Sequence, residues 1–301
     1  MKAFVSTLFS LLLLMLLPVS AQAELRVVTS TPDLAAIASA VGGGRVKVKA
    51  LALPTQDPHW VDARPNLALE ISKADLLLAD GAELEIGWLP TLQVGSRNGK
   101  VQKGAPGYLE CADLVDLLER PAGKIDRSMG DIHPTGNPHY MLDPRVVEKV
   151  AVGVARRMSE LDPEGKSAYL EQAMRFVKEL RSARIKWEER LKEARGREIV
   201  TYHRSLIYLA SWLGLSVVDE VESRPGVPPN PSHVAQLIAK AKQHKLRAIV
   251  QESYYPTNTS ELIARKVGAK VVRLPGGTNF QSGQSYIGFM DQVVSALEHA
   301  L

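Results

Sequence analysis

Histidine is the residue whose placement in this chain suggests chemistry. There are seven among 301 residues, against a single cysteine, Cys111. Neutral imidazole is the commonest protein ligand for zinc-like ions where thiols are scarce. His59 lies in Asp57-Pro58-His59-Trp60, just after a β-branched run ending at Leu53. His139 lies in Asn137-Pro138-His139-Tyr140, directly before Asp143-Pro144, a cap and first-turn pair for a helix over Arg145 to Met158. His203 lies in Thr201-Tyr202-His203-Arg204, at the carboxyl end of a second β-branched run. Any one of them is as well explained by a satisfied structural histidine. Three at strand ends or helix starts, drawn from both halves of the chain, point to a site between lobes, because open α/β sheets bind ligands beyond the carboxyl ends of their strands.

A tetrahedral ion wants a fourth donor. Glu252, ending Ala248-Ile249-Val250-Gln251-Glu252, is the best-placed acid, its competing role being an acceptor that fixes a histidine tautomer. Three imidazoles favour Zn²⁺ over Mn²⁺, whose sites are richer in oxygen; copper and nickel would also bind by intrinsic affinity. His133 stands six residues before His139 in a loop over Arg120 to Pro138, rich in Gly, Pro, Asp and Ser. His233 at a helix start, His244 in a Lys-rich stretch and His299 on the last helical turn are expected at the surface.

The elements that must position these residues read as βαβα. Runs at Leu25 to Thr29, Val46 to Leu53 and Leu76 to Ala79 alternate with helical patterns at Leu34 to Val41 and Leu67 to Ala74. A second series takes strands at Ile199 to Tyr202, Ser216 to Val221, Ala248 to Glu252 and Val271 to Leu274. Its helices are at Leu206 to Leu213, Val234 to Lys242, Ser260 to Val267 and from Tyr286. The implied fold class is α/β, with two similar (β/α) lobes of mostly parallel strands. Between them Asp162 and Pro163 open, and Gly196 closes, one long helix whose apolar stripe runs through Tyr169, Ala173, Phe176, Leu180, Ala183, Trp187, Leu191 and Ala194. Some 30 residues at 1.5 Å each span about 45 Å, so the helix is expected as a backbone strut along both lobes, a coiled-coil dimerisation helix being the alternative.

The first residues set the compartment. Lys2, an apolar run from Ala3 to Leu17, Pro18 and Ala21-Gln22-Ala23 have the layout of a cleavable secretory signal peptide over residues 1–23, implying a periplasmic protein. No cysteine sits beside Ala23, so a lipid anchor is not expected. The expected division is an N-terminal lobe over residues 24–161, the linking helix over 162–196 and a C-terminal lobe over 197–301. Without Lys2 the charge is 36 Lys+Arg against 33 Asp+Glu, mixed along the chain, which argues against nucleic acid. One cysteine cannot form an intrachain bridge, so Cys111 is expected as a small buried residue.

These segments together resemble the solute-binding proteins of zinc and manganese ABC importers, the cluster A-I or zinc-uptake group. The likeness runs from Val27-Val28-Thr29-Ser30-Thr31-Pro32-Asp33 through Asp57-Pro58-His59, Ala74-Asp75-Leu76, Asn137-Pro138-His139-Tyr140-Met141-Leu142-Asp143-Pro144 and Tyr202-His203 to Gln251-Glu252. It implies two lobes joined by one long helix, a metal in the inter-lobe cleft, His59, His139 and His203 as ligands, and a membrane permease as partner to a monomer. The manganese branch commonly has glutamate at the position of His203, so the resemblance implies zinc. The family usually supplies an aspartate after Val271 to Leu274, where this chain reads Leu274-Pro275-Gly276-Gly277. That leaves Glu252, His133 or a water as fourth ligand. No catalysis is expected. The competing readings are a zinc-dependent hydrolase with Glu252 as base, though no His-Glu-x-x-His occurs, and an adhesin or Mn²⁺-type or organic-solute receptor of like architecture.

Overall fold

The computed structural model describes residues 24–123, 130, 132–244 and 246–301. The leader expected over residues 1–23, and part of the loop expected over 120–138, lie outside the described residues. No described helix is long and apolar enough to cross a membrane.

The first lobe runs β1 (Leu25–Thr29), α1 (Pro32–Gly42), β2 (Val46–Ala50), α2 (Pro65–Ser72), β3 (Leu76–Ala79), α3 (Leu89–Ser96) and β4 (Tyr108–Glu110). Helices α4 (Pro144–Leu161) and α5 (Lys166–Arg190) follow. The second lobe runs β5 (Glu198–Thr201), α6 (Ile207–Leu213), β6 (Ser216–Glu220), α7 (Pro231–Ala241), β7 (Ala248–Glu252), α8 (Asn258–Val267), β8 (Lys270–Leu274) and α9 (Tyr286–Glu298). The sheets are wholly parallel, in orders β2-β1-β3-β4 and β6-β5-β7-β8. Of the four inner strands, β3 and β7 are buried along their whole length, as strands covered by helices on two faces can be. A polar cap followed by proline starts three of the helices: Thr31-Pro32, Asp143-Pro144 and Asn230-Pro231 each accept a backbone N–H of the first turn and place a ring where no N–H is needed.

The long element is less uniform than its sequence suggests. Asp162 caps a single 3-10 turn, Pro163–Gly165, and the α-helix proper covers the 25 residues Lys166–Arg190, about 37 Å at 1.5 Å per residue. Asp162 is held there by Arg45 at 2.7 Å and by the Tyr169 hydroxyl at 2.7 Å. The apolar stripe is buried as its spacing predicts, except that Ala183 is only partly covered. It joins α1, α4, α9 and the inner faces of both sheets in one continuous core, while each lobe keeps a separate smaller cluster on its outer face. The two lobes therefore share their main apolar interior. Cys111 is fully buried within it.

Polar bonds close the seam between the lobes. Asp33 on α1 accepts both the backbone N–H of Thr278, at 2.7 Å, and its hydroxyl. The Tyr286 hydroxyl donates to the Met141 carbonyl at 2.6 Å, and the Tyr208 hydroxyl to the Asn137 carbonyl at 2.7 Å. Gly276, in the Leu274-Pro275-Gly276-Gly277 stretch that follows β8 and carries no acid, has no room for a side chain: a Cβ there would stand 2.5 Å from the Tyr254 ring and 2.6 Å from the Pro54 carbonyl. The loop after β8 has become a packed contact between lobes.

Candidate metal centre

Strand ends and loop clamps bring His59, His139 and His203 together. Their ring centroids form a near-equilateral triangle, 5.0 Å between His59 and His139, 5.2 Å between His139 and His203, and 5.4 Å between His59 and His203. One potential ligand atom from each lies within 4.8 Å of the others, a spacing that meets a single ion. His59 and His203 are 6% and 3% exposed.

Each ring is held by its Nδ1. Asp57 Oδ1 lies 2.7 Å from His59 Nδ1 and accepts the His59 backbone N–H at 3.0 Å. Asn137 Oδ1 does the same for His139, at 2.9 and 3.0 Å. His203 Nδ1 lies 2.7 Å from Glu222 Oε2, which also accepts the Gly226 N–H at 2.9 Å. These oxygens accept, so the hydrogen-bond network assigns the ring proton to Nδ1 and leaves the Nε2 lone pair for a ligand. The clamps are themselves anchored: Trp88 Nε1 donates to the Pro58 carbonyl at 2.8 Å, and Asn137 Nδ2 donates to the Arg204 carbonyl at 2.9 Å across the seam.

The electrostatics differ from one histidine to the next. Burial, then repulsion from the neighbouring imidazoles, holds His139 well below the usual histidine range. Its Nε2 is buried with no hydrogen-bond partner among the described residues. Burial also pulls His203 down, but the Glu222 carboxylate against its Nδ1 outweighs this and the net shift is upward. For Asp57 burial raises the carboxyl, yet the hydrogen bond from His59 leaves it lowered.

The remaining candidates fall around this triangle. His133 is buried, its ring 5.5 Å from His59 and 6.1 Å from His139. Glu252 is 4% exposed, its Oε2 has no hydrogen-bond partner among the described residues, and burial raises its carboxyl. With His139 and Ser205 it lines a cavity of about 60 Å³. Neither residue belongs to the group of ligand atoms spaced within 4.8 Å. His299 is exposed as expected, but His233 and His244 are only partly so, because His233 Nε2 bonds the Glu220 carbonyl at 2.9 Å and His244 Nδ1 the Glu198 carboxylate at 2.8 Å.

Sequence reasoning missed the acceptors. The twice-used Asx-Pro-His tripeptide is a signal that could have found Asp57 and Asn137. Nothing in the sequence singles out Glu222, which reaches His203 only through the pairing of β5 with β6.

Residues 27–300 match the family model described as zinc-uptake complex component A, periplasmic. The chain is 23% identical over 253 residues to the high-affinity zinc uptake system protein ZnuA of Bacillus subtilis (strain 168), covering 81% of this chain and 77% of that one. It is 24% identical over 288 residues to the manganese ABC transporter substrate-binding lipoprotein PsaA of Streptococcus pneumoniae, covering 90% and 87%. A crystal structure of ZnuA superposes with a TM-score of 0.77 at 24% identity, over 92% of this chain and 99% of that one, a likeness of fold.

Proposed function

The chain belongs to the zinc-uptake complex component A family, and from that premise we propose that it captures one transition-metal ion, Zn²⁺ in preference to Mn²⁺, between its lobes and delivers it to the membrane permease of an ABC importer. A component of an uptake complex carries its ion unchanged, so the protein is not an enzyme, and the hydrolase reading falls with that. The observation that carries the proposal is the convergence of three imidazoles from both lobes, with ligand atoms within 4.8 Å. His59, His139 and His203 are the proposed ligands, and Glu252 supplies the fourth donor. All-nitrogen imidazole donors with one carboxylate suit Zn²⁺ better than Mn²⁺, whose sites are richer in oxygen.

The proposal extends to the frame of the molecule. Residues 1–23 act as a cleavable leader to the periplasm, lobes over 24–161 and 197–301 are joined by 162–196, and the working form is a monomer. Elemental analysis of protein purified without chelators, followed by competition among Zn²⁺, Mn²⁺ and Cu²⁺, tests the ion. One tightly held Zn²⁺ per chain that Mn²⁺ in excess does not displace is the expected result. A site filled by Mn²⁺ in preference to Zn²⁺ contradicts the choice of ion.

A further inference from the structure

The two histidines of the first lobe sit in the same small device. In Asp57-Pro58-His59 and Asn137-Pro138-His139 one side-chain oxygen, Oδ1, receives both the backbone N–H and the ring Nδ1 of the residue two positions on. The proline between them has a physical role. It has no N–H to compete for that oxygen, and it biases the residue before it to an extended backbone, which presents the Asx side chain forward. The ring is thereby fixed at two points by one atom. That one clamp carries aspartate and the other asparagine shows that the geometry needs an oxygen acceptor and no charge.

His203 follows Tyr202 and has no such tripeptide. Its Nδ1 is taken instead by Glu222, from just beyond β6, and Glu222 is itself pinned by the Gly226 N–H. Glu222 is 8% exposed, so this acceptor is shielded from water. Three oxygens from three separate segments thus do one job.

We infer that Asp57, Asn137 and Glu222 are positioning residues for ion capture: each sets the tautomer and the rotation of one imidazole so that three Nε2 lone pairs meet at a point before any ion arrives. This rests on the reading of the cleft as a metal site. Partners of this kind ordinarily change metal affinity without touching the metal.

The experiment compares Asp57→Ala, Asn137→Ala and Glu222→Ala with the oxygen-keeping Asp57→Asn and Glu222→Gln. Zn²⁺ affinity is read by chelator competition, and the visible spectrum of bound Co²⁺ reports the coordination shape. The metal-free melting temperature reports folding. Each alanine variant is expected to lose about 10- to 100-fold in affinity and to change the Co²⁺ bands although all three histidines remain. Asp57→Asn converts the first clamp into the second and should keep both the affinity and the spectrum, as should Glu222→Gln. Alanine variants that bind like the unaltered protein overturn the inference. So do oxygen-keeping variants that lose as much as the alanines while melting normally, a comparison that stands even where an alanine variant fails to fold. An unaltered protein that binds no Zn²⁺ defeats the metal reading itself, and this control is measured first.

Discussion

The two lobes are built on the same register, and comparing them position by position shows how one scaffold can be closed or left open. Thr29 pairs with Leu78 in the first sheet, and Thr201 with Val250 in the second. The backbone bonds beyond these pairs repeat: Ser30 N–H to the Leu78 carbonyl and Ala52 N–H to that of Ser30, against Tyr202 N–H to Val250 and Glu222 N–H to Tyr202. Counting outward, Thr31, Asp80 and Ala52 in the first lobe occupy the places of His203, Glu252 and Glu222 in the second. In the first lobe the two equivalent residues bond each other, Thr31 Oγ1 donating to Asp80 Oδ2 at 2.7 Å. In the second the strand ends keep a histidine and an acid turned to the seam. The first lobe, its strand-end positions used up, brings its histidines on loops, and loops need the proline clamps that a strand end does not.

The comparison breaks first at its histidine. His203→Ala should lose more than about 100-fold in Zn²⁺ affinity, beyond the range for outer partners, and His133→Ala far less. Equal losses would mean that the ligand set is wrongly drawn. Affinity should also fall on acidification, since protons compete for imidazole. With His203 raised above the usual 6.5 and His139 well below it, the loss begins on the alkaline side of that value, with His203 the first to take a proton. Affinity that stays flat from about pH 8 to about pH 5 would show that imidazoles are not the donors.

The equivalent acids come next. Glu252→Gln should weaken Zn²⁺ by about tenfold or more, the loss of roughly 1.4 kcal/mol or beyond, whereas Asp80→Asn should leave affinity unchanged. Asp80 instead marks stability. Burial and the nearby Glu85 carboxylate raise its pKa well above the ordinary 3.8. The folded chain therefore keeps a proton that the unfolded chain releases, and this group's contribution falls as pH rises from about 3.8 towards the folded value. Asp80→Asn should flatten that part of the melting-temperature curve of the metal-free protein; an unchanged slope would refute the assignment. Smallest is the seam itself. Thr278→Val removes the hydroxyl donated to Asp33 and should cost about 1 kcal/mol in chemical denaturation, with little effect on metal affinity.

Much of this frame was legible because parallel strands and capped helices write their limits locally. β1, β3 and β7 match their apolar runs to the residue, and Asp143-Pro144 marks the start of α4 as its chemistry requires. The three histidines could be read from their places at strand ends and before a helix. What stayed hidden depends on long-range pairing. β4 is only three residues long, too short to show a pattern. Helix α3 mixes Leu89, Pro90, Gly95 and Ser96 and carries weak helical signals, so neither it nor its packing over the outer face of the first sheet was foreseen. Tyr286 and Phe289 look like the end of the second lobe in sequence, yet they enter the core that both lobes share. Glu222 acquires its role only once β6 lies beside β5.

The central claim is that three imidazoles, two from one lobe and one from the other, hold a single ion. X-ray absorption at the zinc edge of the one-to-one complex tests it most directly. The account predicts imidazole nitrogens dominating the ligand shell at about 2.0–2.1 Å, with no sulfur and at most a minor oxygen contribution. A shell made mainly of oxygen, or a spectrum unchanged by His203→Ala, would contradict it.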